Sequence, residues 1–230
     1  MKAMILAAGR GERMRPLTDT TPKPLLLVAG KPIIVHTIEQ LRKAGFNDIV
    51  INLAHLGEQI IGHLGDGRQF GVNICYSDEG EEGLETAGGI INALPLLGDR
   101  PFLVVNGDIA TDFPFASLRS RAVDLAHLVL VNNPEHHPQG DFGLDDRMHV
   151  VDDSGIKFTF SGIGAYHPDL FNQVPPGKHK LAPLLRQAIE KRRVSGEKHS
   201  GFWMDIGTPQ RLLELDHYYQ RGMHHDQPCL

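Results

Sequence analysis

One stretch decides how the chain folds: Met4-Ile-Leu-Ala-Ala-Gly-Arg-Gly-Glu-Arg-Met-Arg-Pro-Leu-Thr-Asp-Thr-Thr-Pro-Lys-Pro-Leu-Leu-Leu-Val-Ala-Gly-Lys-Pro32. The apolar run from Ala3 to Ala8 predicts a buried strand. The residues from Gly9 to Lys23 continue no core pattern, and their glycines and charges predict a long ordered loop after that strand. Long loops in compact domains are usually functional, so this loop is the first candidate for a binding site.

The charge of this segment differs from that of the rest of the chain. Residues 1–32 hold six basic and two acidic side chains, a net +4, so the remaining chain carries −9 of the total of −5. Glycines let backbone N–H groups approach a ligand closely, and arginine and lysine supply charge-assisted hydrogen bonds. The segment therefore predicts a cradle for a polyphosphate, with a solvated surface loop as the alternative.

Two common phosphate-binding motifs do not fit this loop. Gly9 and Gly11 begin a Gly-x-Gly-x-x-Gly pattern, but Met14 takes its third position, and the Gly-Lys-Ser/Thr of a P-loop does not occur. The order Leu6-Ala-Ala-Gly-x-Gly-x-Arg-x-x-Pro-Leu-Thr18, followed by Pro22-Lys-Pro-Leu25, instead resembles the signature of the sugar-phosphate nucleotidyltransferases. About a dozen positions agree in order and spacing, which makes the resemblance specific.

The rest of the chain alternates strand and helix patterns. Predicted strands lie at 3–8, 48–54, 72–77, 101–105, 126–132 and 161–166, and predicted helices at 32–44, 56–64, 85–97, 181–193 and from 209 onward. Residues 140–160 read as short antiparallel strands. This order predicts an α/β fold with a Rossmann-like, doubly wound, mostly parallel but mixed sheet, the type that the resemblance also implies. We expect a single domain over 1–222 and a frayed tail over 223–230.

Composition excludes several classes of protein. Cys75 and Cys229 lack the spacing of a metal site or a disulfide framework, which favours a reducing compartment. The chain has no apolar run of membrane length, and a pI near 6.2 without a basic stripe gives nucleic acid little to bind. We therefore expect a cytoplasmic protein without nucleic-acid or membrane partners, either a monomer or a weak homodimer.

The candidate catalytic residues follow from the chemistry of nucleotidyl transfer. A sugar 1-phosphate must attack the α-phosphorus of a nucleoside triphosphate, so the negative charge on both substrates must be neutralised. Lys23 suits this role because Pro22 and Pro24 stiffen its backbone. The resemblance adds Arg13 as a ligand of the β- and γ-phosphates, and Asp108 as a third catalytic residue. The nucleotide-binding residues that it implies are Ala8, Gly9, Gly11, Glu12, Arg13, Lys23, Thr86, Gly88 and Asn106.

Two aspartates are candidate metal ligands. Asp108 follows the apolar run Val104-Val105-Asn106-Gly107, and Asp205 lies in Trp203-Met-Asp-Ile-Gly-Thr208. Aspartates at the matching positions of the family hold the catalytic Mg²⁺, and carboxylates with substrate phosphates are the ligands that this ion prefers. A zinc site built from the thirteen histidines is the rival interpretation, but the adjacent pairs of histidines lack ligand spacing.

The segment Glu82-Gly-Leu-Glu-Thr-Ala-Gly-Gly89 resembles the turn that reads the base in this family, although many members have glycine where this chain has Glu85. The second half matches the sugar-binding region more loosely, and the resemblance implies contacts from Asp141, Gly143 and Gly164. The Glu-Lys-Pro tripeptide that supplies a phosphate-binding lysine in many relatives does not occur, which leaves Lys157 as a guess for that role.

Within the family, the short chain and the Leu181-Ala-Pro-Leu184 segment imply UTP and N-acetylmuramic acid 1-phosphate as substrates, in peptidoglycan recycling. The nearest alternative uses mannose or glucose 1-phosphate with GTP or dTTP. A catalytically silent sensor of nucleotide sugars is the alternative from another functional class.

Overall fold

The computed structural model describes residues 1–153 and 155–225. The strands within this part of the chain are β1 (Ala3–Leu6), β2 (Leu27–Val28), β3 (Lys31–Pro32), β4 (Asp48–Leu53), β5 (Asn73–Asp78), β6 (Phe102–Asn106), β7 (Ile109–Thr111), β8 (Ala126–Val131), β9 (Gly143–Leu144), β10 (Val150–Val151), β11 (Thr159–Tyr166), β12 (Val194–His199) and β13 (Trp203–Asp205). The α-helices are α1 (Ile33–Lys43), α2 (Gly57–Leu64), α3 (Glu85–Leu97), α4 (Leu181–Glu190) and α5 (Pro209–His225). Among these helices, none has both the length and the apolar character required to cross a membrane.

A seven-stranded sheet forms the centre of the fold, in the order β12-β8-β11-β6-β1-β4-β5. Strands β1, β4, β5 and β6 run parallel to one another, whereas β11 is antiparallel to both of its neighbours. Because the parallel strands end at the same edge, the loops after β1, β4, β5 and β6 share one rim of the sheet. The predicted α/β fold with a mostly parallel, mixed sheet is confirmed.

Helices cover both faces of this sheet. Met4 and Ile5 are adjacent in β1 and point to opposite faces, and both are fully buried. Ile5 packs in a core with Ile38 of α1, whereas Met4 packs in a second core with Ile90 of α3. Burial of each such side chain contributes about 1.5–3 kcal/mol to the stability of the fold. Packing on both faces therefore fixes the positions of the strands, and with them the rim at which the strands end.

Several local predictions need correction. The loop after β1 is not free of core residues, because Met14 is buried in a third apolar cluster and short 3₁₀ helices form at Glu12–Met14 and Lys23–Leu25. Pro95 does not interrupt α3, which continues to Leu97. Strand β12 was not predicted, since its Val-Ser-Gly-Glu-Lys-His sequence alternates imperfectly, yet it pairs with β8 along its full length.

The predicted domain boundary at residue 222 stays a prediction. Helix α5 extends to His225, and residues 226–230 of the expected tail, with Cys229, lie outside the described residues. Cys75 lies on β5 and is a free, exposed cysteine. The apolar run that contains it in the sequence is therefore only partly buried in the structure.

Gly107 joins the ends of two central strands. Its amide donates to the Leu6 carbonyl at 2.8 Å, which extends the pairing of β1 and β6 by one residue. A Cβ atom added at Gly107 would lie 2.5 Å from that carbonyl oxygen. A larger residue would therefore force the two strand ends apart at the rim.

We expect Gly107→Ala to lower the free energy of unfolding by about 1–3 kcal/mol, the usual cost of overpacking. Gly62→Ala is the matched control, because an added Cβ meets no atom within 4 Å on helix α2, and it should raise stability by about 0.5–1 kcal/mol. Urea unfolding of both variants measures the difference. Equal stability of Gly107→Ala and the unaltered protein would contradict the close approach.

Candidate active site

A cleft of about 700 Å³ opens along the shared rim of the sheet. Three segments form its walls: the loop after β1, the turn before α3, and the end of β6. Of the predicted site residues, those that line it are Ala8, Gly9, Gly11, Glu12, Arg13, Lys23, Thr86, Asn106 and Asp108. The rim thus gathers residues from three separate parts of the sequence into one cavity.

The loop after β1 is folded tightly against itself. Gly11 adopts a φ of 65°, and an added Cβ would lie 2.9 Å from Thr18 and 3.3 Å from Lys23, so glycine is needed there. Thr18 is buried and its hydroxyl donates to the Gly11 carbonyl at 2.8 Å. Gly9 instead meets nothing within 4 Å of an added Cβ. A ligand in the cleft can therefore approach the backbone at Gly9.

Lys23 and Asp108 form an ion pair inside the cleft. The Lys23 side chain is 11% exposed and that of Asp108 is 35% exposed, and the ammonium group donates to Asp108 Oδ2. A buried ammonium group that is held by a single carboxylate can also contact a ligand phosphate, because it has three donors. The expectation that Lys23 and Asp108 share the rim agrees with this geometry.

Two further cations line the cleft without a described partner. The side chains of Arg13 and Lys178 form no hydrogen bond or ion pair within the described residues. Lys178 was not identified from the sequence, because it lies in the irregular Pro175-Pro-Gly-Lys178 segment, where no periodicity marks a side chain as facing a site. Both cations are available to phosphate groups.

Asp205 lies beside Asp108 but faces other partners. Strands β7 and β13 pair so that Asp205 is opposite Ile109, and the amide of Ile206 donates to the Asp108 carbonyl at 2.7 Å. The Asp205 carboxylate accepts from Arg211 Nη1 at 2.5 Å and lies 3.0 Å from His136 Nε2. Asp205 does not line the cleft, although Gly207 does.

Gly88 and the three predicted sugar-binding residues lie outside the cleft lining. The Gly88 amide donates to the His179 carbonyl at 3.1 Å, and Gly164 is a buried residue of β11 that leaves room for the Tyr166 hydroxyl. Asp141 accepts from the Phe160 amide at 2.8 Å, and Gly143 lies in the short strand β9. These contacts give each residue a structural role.

Lys157, the sequence-based guess for the sugar phosphate, lies outside the cleft lining, whereas Asn52, Glu79 and Glu85 line the cleft. The Lys157 ammonium group is 3.4 Å from Asp152, which also pairs with Arg186 at 2.8 Å. Asn52 and Glu79 line the cleft and are joined by a hydrogen bond of 2.6 Å. Burial raises the pKa of the Glu79 carboxyl, and the hydrogen bonds from Asn52 and Leu84 act in the opposite direction. Glu85 has a φ of 61°, which lies in the left-handed region that favours glycine.

The geometry agrees with comparisons of the whole chain with known proteins. The profile of the family described as Nucleotidyl transferase matches residues 2–151. The chain belongs to this family. It is 57% identical over 222 residues to the N-acetylmuramate alpha-1-phosphate uridylyltransferase of Neisseria meningitidis serogroup B, covering 93% of this chain and 96% of that protein.

A second relative and a solved structure are more distant from this chain. The enzyme of the same name from Caulobacter vibrioides is 34% identical over 230 residues, covering 93% of this chain and 95% of that protein. A crystal structure of a putative glucose-1-phosphate thymidylyltransferase from Bacillus anthracis superposes with a TM-score of 0.83, covering 100% of this chain and 97% of that one. Its sequence identity is 21%, so this likeness shows the fold alone.

We expect Lys23→Ala to lower the turnover of nucleotidyl transfer about a hundredfold or more, the usual loss when one preorganised charge donor is removed. Because the Lys23 side chain is only 11% exposed, the free energy of unfolding should also fall, by about 1.5–3 kcal/mol, so turnover is compared between folded variants. Lys31→Ala is the matched control, since it also removes a lysine–carboxylate pair, with Glu39 at 2.7 Å, but lies outside the cleft. Comparable turnover of the two folded variants would contradict the role of Lys23.

Proposed function

We propose that this chain joins UTP and N-acetylmuramic acid α-1-phosphate to give UDP-N-acetylmuramic acid and pyrophosphate. The observation that carries the proposal is the cleft in which the glycine-rich loop after β1 meets the Lys23–Asp108 pair. The choice of substrates rests on the 57% identity to the Neisseria meningitidis enzyme over almost its whole length. The reaction belongs to peptidoglycan recycling and takes place in the cytoplasm, and the chain acts as a monomer or a weak homodimer.

The residues of the cleft divide between the two ends of the nucleotide. The backbone from Ala8 to Glu12 binds the triphosphate, with Arg13 on the β- and γ-phosphates. At the other end, the turn that contains Thr86 holds the base, and Asn106 contacts the nucleotide from the end of β6. Glu82 and Glu85 also line the cleft, and their carboxylates can accept hydrogen bonds from the ribose hydroxyls. Gly88 contributes by allowing the Gly177–His179 segment to pack closely against α3.

Lys23 acts at the reacting phosphorus. The sugar phosphate oxygen attacks the α-phosphorus of UTP while the bond to pyrophosphate breaks, and negative charge develops on the α-phosphoryl oxygens. The Lys23 ammonium group donates to these oxygens and holds them in line. Lys178, which lines the cleft and has no ion-pair partner among the described residues, is our candidate for the sugar phosphate, in place of Lys157.

Asp108 and Asp205 fit a Mg²⁺ ion. Their carboxylates are hard oxygen donors, and the bond from the Ile206 amide to the Asp108 carbonyl joins the two segments that carry them, although Asp205 itself lies outside the cleft lining. Substrate phosphates complete such a site. When bound, the ion would neutralise charge on the α-phosphate. Within this chain, Lys23 pairs with Asp108 and Arg211 pairs with Asp205, so each carboxylate is held by its own cation.

Sugar recognition extends from the rim toward the second half of the chain. We propose that Asp141, Gly143 and Gly164, which lie outside the cleft lining, act indirectly by shaping the wall that receives the sugar, as Asp141 does by fixing the backbone at Phe160 through its hydrogen bond. The lactyl carboxylate distinguishes N-acetylmuramic acid from N-acetylglucosamine, so the wall must offer that group a cation or several N–H donors.

A pyrophosphate-release assay tests the proposal. UTP, GTP and dTTP are each combined with the 1-phosphates of N-acetylmuramic acid, N-acetylglucosamine, glucose and mannose, with Mg²⁺ or with EDTA. We expect the highest kcat/KM for UTP with N-acetylmuramic acid 1-phosphate, at least about tenfold above N-acetylglucosamine 1-phosphate, because the partners of the missing carboxylate would be left unpaired. EDTA should abolish turnover.

The other outcomes separate the alternatives. Equal rates with the two N-acetylated sugars would reject the muramic acid assignment. A preference for mannose or glucose 1-phosphate with GTP or dTTP would establish the second substrate set. Binding of nucleotide sugar without any turnover would identify a sensor instead of an enzyme.

A further inference from the structure

A chain of hydrogen bonds joins the two ligand-facing walls of the cleft, and we name its members, Ala7, Asn52, Glu79 and Leu84, the rim network. The amide of Ala7 donates to Asn52 Oδ1 at 2.7 Å, and Asn52 Nδ2 donates to Glu79 Oε1 at 2.6 Å. The amide of Leu84 donates to the other carboxylate oxygen, Glu79 Oε2, at 2.6 Å. All four residues line the cleft. The network thus runs from the end of β1 to the turn before α3.

The direction of every bond in the rim network is fixed. A backbone amide can only donate, so Asn52 must turn its oxygen toward Ala7 and its NH₂ group toward Glu79. Glu79 then receives one donor on each oxygen, and only an ionised carboxylate accepts on both without presenting a donor. Asn52 is 3% exposed, so water cannot replace its partners without rearrangement. The pair is therefore matched in chemistry as well as in position.

The backbone of α3 leaves room for the Asn52–Glu79 pair, and the turn before α3 is held in its conformation by a bond to Glu79. A Cβ atom added at Gly89 would lie 2.2 Å from Glu79 Oε1 and 3.0 Å from Asn52 Nδ2, so α3 approaches the pair through a glycine. Leu84 is flanked by Gly83 at a φ of 65° and Glu85 at a φ of 61°. A non-glycine residue in this conformation persists when its surroundings hold it, and the bond from Leu84 to Glu79 supplies such a hold.

We infer that Glu79, acting with Asn52, is a positioning residue that fixes the distance between the loop after β1 and the Gly83–Thr86 turn. This inference rests on the proposed function, in which the loop holds the triphosphate and the turn holds the base. Since one nucleotide must contact both walls, a change in their separation weakens nucleotide binding most. Lys178, our candidate for the sugar phosphate, is tied to the turn through the bond from the His179 amide to the Leu84 carbonyl at 3.0 Å, so binding of the sugar phosphate should change less. Glu79 itself does not touch the reacting atoms.

An exchange of the amide and the carboxylate tests the rim network. In Glu79→Gln, the new NH₂ group faces that of Asn52, and in Asn52→Asp two carboxylates face each other. In the double variant Asn52→Asp/Glu79→Gln, the new aspartate accepts from the Ala7 amide and from the new glutamine, whose oxygen accepts from the Leu84 amide. We expect each single variant to raise the Kd and KM for UTP about tenfold or more, and the double variant to return both to within about threefold of the unaltered protein.

Controls separate positioning from a general loss of structure. Glu81→Gln removes a neighbouring exposed carboxylate that lies outside the cleft lining and should change neither constant. Glu79→Asp keeps the charge but shortens the side chain by one carbon–carbon bond, so it should raise the KM for UTP. This variant keeps the test possible if Glu79→Gln does not fold. In every folded variant, the KM for the sugar 1-phosphate should stay within about threefold of its original value.

Calorimetry with UTP alone distinguishes failure of this inference from failure of the proposed function. If the unaltered protein does not bind UTP, the proposed function is wrong, and the inference falls with it. If the unaltered protein binds UTP and the Glu79→Asp and Glu79→Gln variants bind it equally well, only the inference is wrong. A loss that falls equally on both substrates, or a double variant that is no better than the worse single one, would also overturn it.

Discussion

The parallel pairing of β1 with β6 is the constraint on which the site depends. It aligns Leu6 with Asn106, and the Gly107 amide then bonds to the Leu6 carbonyl, so the two strands end side by side. The loop that leaves β1 must therefore begin next to the residues that leave β6. The ion pair between Lys23, at the far end of that loop, and Asp108 then ties the loop to the residues that leave β6.

A second pairing brings in a distant part of the chain. Strand β13 lies antiparallel to β7, which begins directly after Asp108, and this pairing places Asp205 opposite Ile109. Helix α5 begins four residues later and carries Arg211, whose guanidinium group holds the Asp205 carboxylate. The two aspartates are almost a hundred residues apart in the sequence, so their proximity comes from strand pairing. Each forms its own ion pair, Asp108 with Lys23 and Asp205 with Arg211.

Much of this arrangement could be predicted from the sequence, and the missing parts have physical causes. The loop after β1 was recognisable because glycines and cations interrupt an apolar strand. Asn52 and Glu79 were missed because nothing in the sequence marks them as functional. Asn52 is one polar residue in an apolar strand, and Glu79 is one acidic residue after the next strand. Their partnership depends on strand register, which the sequence pattern alone does not specify. Lys178 and strand β12 were missed because proline-rich and weakly alternating segments carry no periodic signal.

We propose that strand pairing makes Asp108 and Asp205 act as one unit, and the turnover of three variants tests this most directly. The measurement compares Asp108→Asn, Asp205→Asn and the double variant in pyrophosphate release with UTP and the sugar 1-phosphate. If the pair serves one function, each single change should cost about a hundredfold or more, and the double variant should lose little beyond the worse single one. Losses that multiply in the double variant would mean that the two carboxylates act separately, which would contradict the account.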